Sequence, residues 1–240
     1  MPVLRNKIKK INNKTGYKIL SVGGSIIIPP TGFDIGFLKK FRALILSEVK
    51  KGQKFILVIG GGATCRQYQK AAGAAVPMTD RDLDWLGIKT TVLNAEFVKA
   101  LFKDYAYEEV AVNPTKKVKT TRPIIIAAGW KPGCSTDKDA VLLAKTYGAT
   151  EVINLSNVDY VYNSDPKKNK NAKKLTRLTW GELKKIVGTK WQPGANVPFD
   201  PSAARLAQKL GLVVKFARGT DVKTISRILN GDSTLGTVIS

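Results

Sequence analysis

The chain of 240 residues contains no histidine, and only two of its residues are cysteine, Cys65 and Cys134. The first absence excludes an imidazole general base, a His-ligated zinc and the usual serine triad. Two cysteines far apart in sequence form neither a disulfide framework nor a Cys-x-x-Cys motif, so a reducing, cytoplasmic setting is expected. No apolar run approaches the roughly 20 residues of a membrane span, so no membrane partner is expected. Acidic residues are scarce: 18 Asp and Glu stand against 40 Lys and Arg, a formal charge of +22. That excess suits an anionic partner. The lysines are spread along the chain, however, and few aromatics interleave with the basic runs, which argues against a nucleic-acid partner. Any chemistry must be built from backbone amides, Lys, Arg, Asp, hydroxyls and a metal ion.

What the chain does have is regular alternation. Apolar runs at 17–22, 55–59, 109–112, 123–128, 151–155, 212–216 and 237–239 read as strands. Helical spacing is found at 34–51, 63–75, 79–104, 137–147, 179–187, 200–210 and 221–230. In the long helix it runs through Leu83, Leu86, Val92, Leu93, Phe97, Leu101 and Phe102. Strands that alternate with helices predict an α/β fold, a mostly parallel central sheet covered by helices on both faces. Residues 1–16 are basic and polar without an apolar core and are expected to be a loose leader, with a single domain over 17–240. The loop 188–198, rich in Gly and Pro around Trp191, is expected to be mobile, and 167–174 to be a lysine-rich surface loop.

Three glycine-bearing turns follow predicted strands. Gly60-Gly61-Gly62 lies between a buried strand and a helix, where glycine lets backbone N–H groups approach a phosphate and the helix N-terminus favours negative charge. Arg66 sits one turn further on, able to grip a phosphate bidentately. Gly23-Gly24-Ser25 repeats the design after the first strand. The third turn, Gly129 to Asp137, adds Trp130, Lys131, Pro132, Gly133, Cys134, Ser135 and Thr136, with Thr136 or Asp137 as the expected helix cap. None of these turns is a P-loop or a G-x-G-x-x-G fingerprint. The acidic candidates are Asp84, Asp137, Asp159, Asp165 and Asp200. Phosphoryl transfer needs positioning and charge neutralisation more than it needs a base, so such a rim suits it without histidine.

In order, the motifs are G-G-S at 23–25, V-I-G-G-G at 58–62 with Arg66, and D-W-L-G-I at 84–88. They continue with P-G-x-x-T-D at 132–137, N-V-D-x-V-Y-x-x-D-P at 157–166 and F-D-P-x-A-A at 199–204. This series resembles the amino acid kinase family and, within it, UMP kinases of the archaeal type, over about 17–239. The resemblance implies a three-layer αβα sandwich with an acceptor half at about 17–150 and an ATP half at about 151–240. It implies UMP near Gly61, Asp84 and Trp130 to Thr136. It implies ATP near Gly23, Gly24, Ser25, Gly62, Arg66, Ser156, Asn157, Tyr162 and Asp165, and transfer organised by Asp137, Asp200 and Arg66 with Mg²⁺. A homohexamer is also implied. Sister isopentenyl phosphate kinases place a histidine at the acceptor phosphate, which this chain lacks. Many members of the wider family carry lysine two residues before Gly23. Ser21 stands there, leaving Lys18, Lys131 and Arg66 as candidate cations.

Overall fold

The computed structural model describes residues 16–166, 168–190 and 197–240. Residues 1–15 of the predicted leader, Lys167 of the basic loop and Trp191 with its neighbours to 196 lie outside the described residues. The chain opens with β1 (Tyr17–Val22), the single-turn α1 (Gly24–Ile27), α2 (Ile35–Lys50), β2 (Lys54–Ile59), α3 (Gly62–Ala75), α4 (Asp80–Phe102) and β3 (Ile124–Ala127). It continues through α5 (Thr136–Tyr147), β4 (Glu151–Ser156), the short β5 (Val161–Tyr162), β6 (Lys174–Leu175) and β7 (Arg177–Leu178), and α6 (Trp180–Val187). It ends with α7 (Pro201–Lys209), β8 (Val213–Arg218), α8 (Val222–Leu229) and β9 (Thr237–Ile239).

Seven strands form one sheet in the order β3-β2-β1-β4-β8-β9-β7, parallel except where β8 meets β9. Burial on both faces explains why β2 reads as an unbroken apolar run: Phe55 to Ile59 are each 0% exposed. Alternate residues face two cores. Ile56 and Val58 pack towards α5, α6 and α7, while Phe55, Leu57 and Ile59 pack towards α2, α4 and α8. The expected three layers follow. Each such side chain fully removed from water stabilises the fold by about 1.5–3 kcal/mol. No helix among the described residues is long and apolar enough to cross a membrane.

Helix starts agree with the sequence where a short polar side chain precedes the apolar stripe. Asp34, Thr79, Thr179, Asp200 and Asp221 each cap their helix, Thr79 and Thr179 in full capping boxes. Four expectations need correction. Residues 109–112 form no strand; Ala111 makes only an isolated bridge to Ala127. The cap of α5 is Ser135, whose hydroxyl accepts from the Lys138 N–H, rather than Thr136 or Asp137. On α4 the buried face is Ile88, Thr91, Asn94, Ala95, Val98 and Phe102, whereas Leu93 is 63% exposed. Val92, Phe97 and Leu101 pack against the core and Phe102 lies within it as expected, but Leu93 faces outward, and three polar residues, Thr90, Thr91 and Asn94, take buried positions. The strands β5, β6 and β7 were not predicted; two residues each are too few to show a period.

Phe102 is 0% exposed beneath the β3 side of the sheet. Phe102→Ala is expected to lower unfolding stability by about 3–5 kcal/mol, read from the urea midpoint at unchanged slope. A loss under about 1 kcal/mol would contradict this core assignment.

Candidate active site

Sheet order reverses at β1, which has β2 on one side and β4 on the other. Ligands of open α/β sheets lie at such a reversal, outside the carboxyl ends of the strands. The turns predicted to carry phosphate leave the sheet here. Gly23 donates its N–H to the Leu155 carbonyl at 2.9 Å, and Gly60 donates to the Val22 carbonyl at 3.0 Å, so the ladder continues into both turns. Beyond it the two glycine turns touch backbone to backbone. A Cβ on Gly24 would collide with the Gly62 amide nitrogen, and one on Gly62, at φ +68°, would lie 2.6 Å from the Gly24 carbonyl. Arg66 reaches across the junction and donates from Nη2 to the Ser25 hydroxyl at 2.9 Å.

Helix α4 holds the second turn from behind. Asn94 is 1% exposed and donates from Nδ2 to the carbonyls of Gly60 and Gly61, at 2.9 and 3.0 Å. One turn earlier, the Thr91 hydroxyl accepts the Gly129 N–H at 2.9 Å. Further up the same helix, Asp84 Oδ2 accepts the Gly133 N–H at 2.7 Å. One helix thus ties the triple-glycine turn to the segment after β3. Between them lies a cavity of about 140 Å³, which Gly61, Asp84, Cys134, Ser135 and Thr136 help to line. Lys131 places its ammonium 4.0 Å from the centre of the Trp130 ring. Gly87 of the D-W-L-G-I motif also lines this cavity, as do Cys65, Gln69 and Thr91, which were not singled out in the sequence as site residues.

The first turn of α5 brings buried carboxylates to the same rim. Ser21 and Asn154 are register partners on β1 and β4. Both donate to Asp137 Oδ1, at 3.0 and 2.8 Å, and Asp137 Oδ2 accepts the Asp200 N–H at 3.2 Å. Burial first, and then the Asp200 charge, push Asp137 up to about 6 against these hydrogen bonds. Asp200 is itself buried; Oδ1 accepts from Ser202 and Ala203, while Oδ2 has no protein partner. Asp139 is 0% exposed, and burial pushes it up to about 7 although Cys134 and Trp130 both donate to it. Asn154 was legible as a polar break in an apolar strand, and Asn94 and Thr91 as polar residues three apart on α4, but neither signal names a role.

The remaining predicted residues lie along the β4–β8 side. Ser156 ends β4, pairs in register with Arg218, and accepts the Gly219 N–H at 2.7 Å. Its hydroxyl lies 3.5 Å from Asn157 Oδ1. Tyr162 and Asp165 belong to the β5–β6 hairpin region, outside the main sheet. The Tyr162 hydroxyl donates to Asp159 at 2.8 Å, and Lys174 pairs with the same carboxylate at 2.9 Å. The Asp165 carbonyl closes a turn by accepting from Lys168 and Asn169. Lys18 does not serve the rim: it lies at the amino end of β1, where Nζ donates to the Leu229 carbonyl at 3.1 Å. Of the three candidate cations, it is therefore removed.

The model of the amino acid kinase family matches residues 16–217. The uridylate kinase of Thermococcus onnurineus is 34% identical over 225 residues, covering 92% of this chain and 98% of that protein. The uridylate kinase of Pyrococcus abyssi is 32% identical over 216 residues, covering 89% and 95%. Among solved structures, the uridylate kinase of Archaeoglobus fulgidus superposes with a TM-score of 0.78 at 29% identity, over 93% of this chain and 100% of that one.

The raised carboxyl of Asp139 carries a stability consequence. The folded protein holds its proton up to about pH 7, the unfolded chain only to the ordinary 3.8. The stabilisation from that extra proton uptake is present below about pH 4 and is lost as pH rises through about 7. Between about pH 5 and pH 8, the melting temperature of Asp139→Asn is expected to fall less than that of the wild type. Equal falls would rule out a raised carboxyl.

Proposed function

Since the chain belongs to the amino acid kinase family, we propose that it transfers the γ-phosphoryl group of ATP to UMP, giving ADP and UDP. The observation that carries this reading is the junction of two glycine turns beside a cavity walled by Gly61, Asp84 and the segment from Cys134 to Thr136. Full-length similarity to archaeal uridylate kinases supports the choice of acceptor. UMP takes the cavity, with Asp84 at the ribose hydroxyls and the loop from Trp130 to Thr136 around base and phosphate. ATP lies along Gly23, Gly24, Ser25, Gly62 and Arg66, with Ser156, Asn157, Tyr162 and Asp165 at its nucleoside end. The acceptor half is then about 17–150 and the donor half about 151–240. A histidine-dependent sister kinase is disfavoured because the chain has no histidine.

The acceptor phosphate is already ionised at neutral pH, so no general base is required. The turns align the two phosphates through backbone N–H groups, which is the main requirement of phosphoryl transfer. Arg66, held at Ser25, supplies positive charge at the junction. Asp137 and Asp200 are the pair that fits Mg²⁺ or its water shell: the two buried carboxyl groups lie together, and one carboxylate oxygen of Asp200 is orphaned. Among the described residues no three metal-ligating side chains gather. When bound, that ion neutralises charge on the phosphate oxygens. A cytoplasmic homohexamer completes the reading.

In a coupled assay, ADP release is expected with UMP and not with glutamate, aspartate or isopentenyl phosphate. Release with one of these and none with UMP would overturn the reading. Asp84→Ala should raise the KM for UMP about tenfold or more and leave that for ATP within about twofold. Arg66→Ala should lower kcat by about tenfold to a hundredfold. An unchanged rate would remove Arg66 from the site.

A further inference from the structure

The segment from Trp130 to Cys134 has both ends tied to one buried carboxylate. Asp139 Oδ2 accepts the Trp130 N–H at 3.2 Å, and Asp139 Oδ1 accepts the Cys134 S–H at 3.0 Å. Asp139 is anchored in turn, since its own N–H donates to the Ser135 carbonyl at 3.0 Å in the first turn of α5. It stands among Ala140, Val141, Leu143 and Ala144 on the buried face of that helix. An apolar residue there would pack without the cost of burying a charge. The two hydrogen bonds that its carboxylate accepts go to the segment after β3, one of them from Cys134 on the cavity wall, and not to the helix or the sheet. Thr91 fixes Gly129 and Asp84 fixes Gly133, so Asp139 supplies the ties at the two remaining points, Trp130 and Cys134.

We propose that Asp139 is the positioning residue of the acceptor subsite: by clasping both ends of the Trp130–Cys134 segment, it sets the wall against which the acceptor nucleoside monophosphate binds. This rests on the reading of the cavity as the UMP site. Asp139 lies outside the P-G-x-x-T-D segment, and its effect on the reaction passes through the loop rather than through contact with substrate. Its loss should therefore weaken acceptor binding while donor binding at the glycine turns stays as it was.

Two readouts test this, one of them independent of activity. In nucleotide-free protein, alkylation of Cys134 by iodoacetamide is followed by peptide mass spectrometry, with Cys65 as internal reference. In Asp139→Ala, Cys134 should react about tenfold faster with Cys65 unchanged, the KM for UMP should rise about tenfold, and that for ATP should move less than about twofold. Asp139→Asn, which keeps one accepting oxygen, should fall between it and the wild type. If both cysteines speed up together, or the two Michaelis constants rise equally, Asp139 is a general packing residue and the proposal fails. Should Asp139→Ala not fold, Cys134→Ala cuts the same clasp from the loop side; a rise of about threefold confined to the UMP constant supports the proposal, and no selective rise overturns it. If the wild type shows no UMP-dependent ADP release, the substrate reading has failed, and the Cys134 contrast alone decides whether Asp139 holds the wall.

Discussion

The contact between Gly24 and Gly62 is the constraint on which the rest of the site depends. Two strand ends can be brought together backbone to backbone only if neither carries a side chain at the crossing, and here a Cβ on either glycine would strike the other turn. The parallel pairing of β1 and β2 delivers the two turns to the same height, because their registers run in step from Tyr17 and Lys54 to Val22 and Ile59. The burial of both strands makes that delivery rigid. Core packing and site geometry are thus the same fact seen at two points along the strands: the ladder that fills the interior runs on into the two glycine turns.

Helix α4 turns this local contact into a site with two sides. Its inner face carries Ala95, Val98 and Phe102 in the core, and nearer its N-terminus Asn94, Thr91 and Asp84 hold the loops. These three positions are seven and three residues apart, close to whole turns of one helix, so one rigid rod sets the spacing between the triple-glycine turn and the segment after β3. A buried Asn side chain that satisfies two carbonyls in the turn is costly to replace, since those carbonyls have no strand to pair with. Stability and function are therefore coupled through α4 more than through the sheet.

The same feature explains what the sequence could and could not show. Strands buried on both faces, such as 55–59, announce themselves by composition, and caps such as Asp200 and Thr179 mark helix starts by chemistry local to a few residues. The convergence of Gly61, Asp84 and Cys134 was expected from the order of the motifs and from family resemblance. On α4, Thr90, Thr91 and Asn94 were left off the buried face because they are polar, and a hydrophobic pattern puts them outside. Leu93 was put inside for the same reason. Asp139 was passed over because nothing in T-D-K-D distinguishes a carboxylate that clasps a loop from one that faces water. Lys18 looked available because sequence proximity to Gly23 says nothing about which end of a strand a residue occupies.

Charge balance at the rim follows from Ser21. Its side chain points to the α5 side of β1 and meets Asp137. A lysine at this position would place its cation beside that carboxylate and hold it ionised. With serine there, Asp137 is answered by a hydroxyl, an amide and a backbone N–H, which do not offset its burial, and its carboxyl rises to about 6. If ATP lies along the glycine turns as proposed, the serine removes a positive charge from the transferring phosphoryl group and leaves Asp137 met by neutral donors alone. A protein so arranged must draw its positive charge from elsewhere. Arg66 at the glycine junction provides one such charge, and the proposed Mg²⁺, facing the orphaned oxygen of Asp200, would provide the rest.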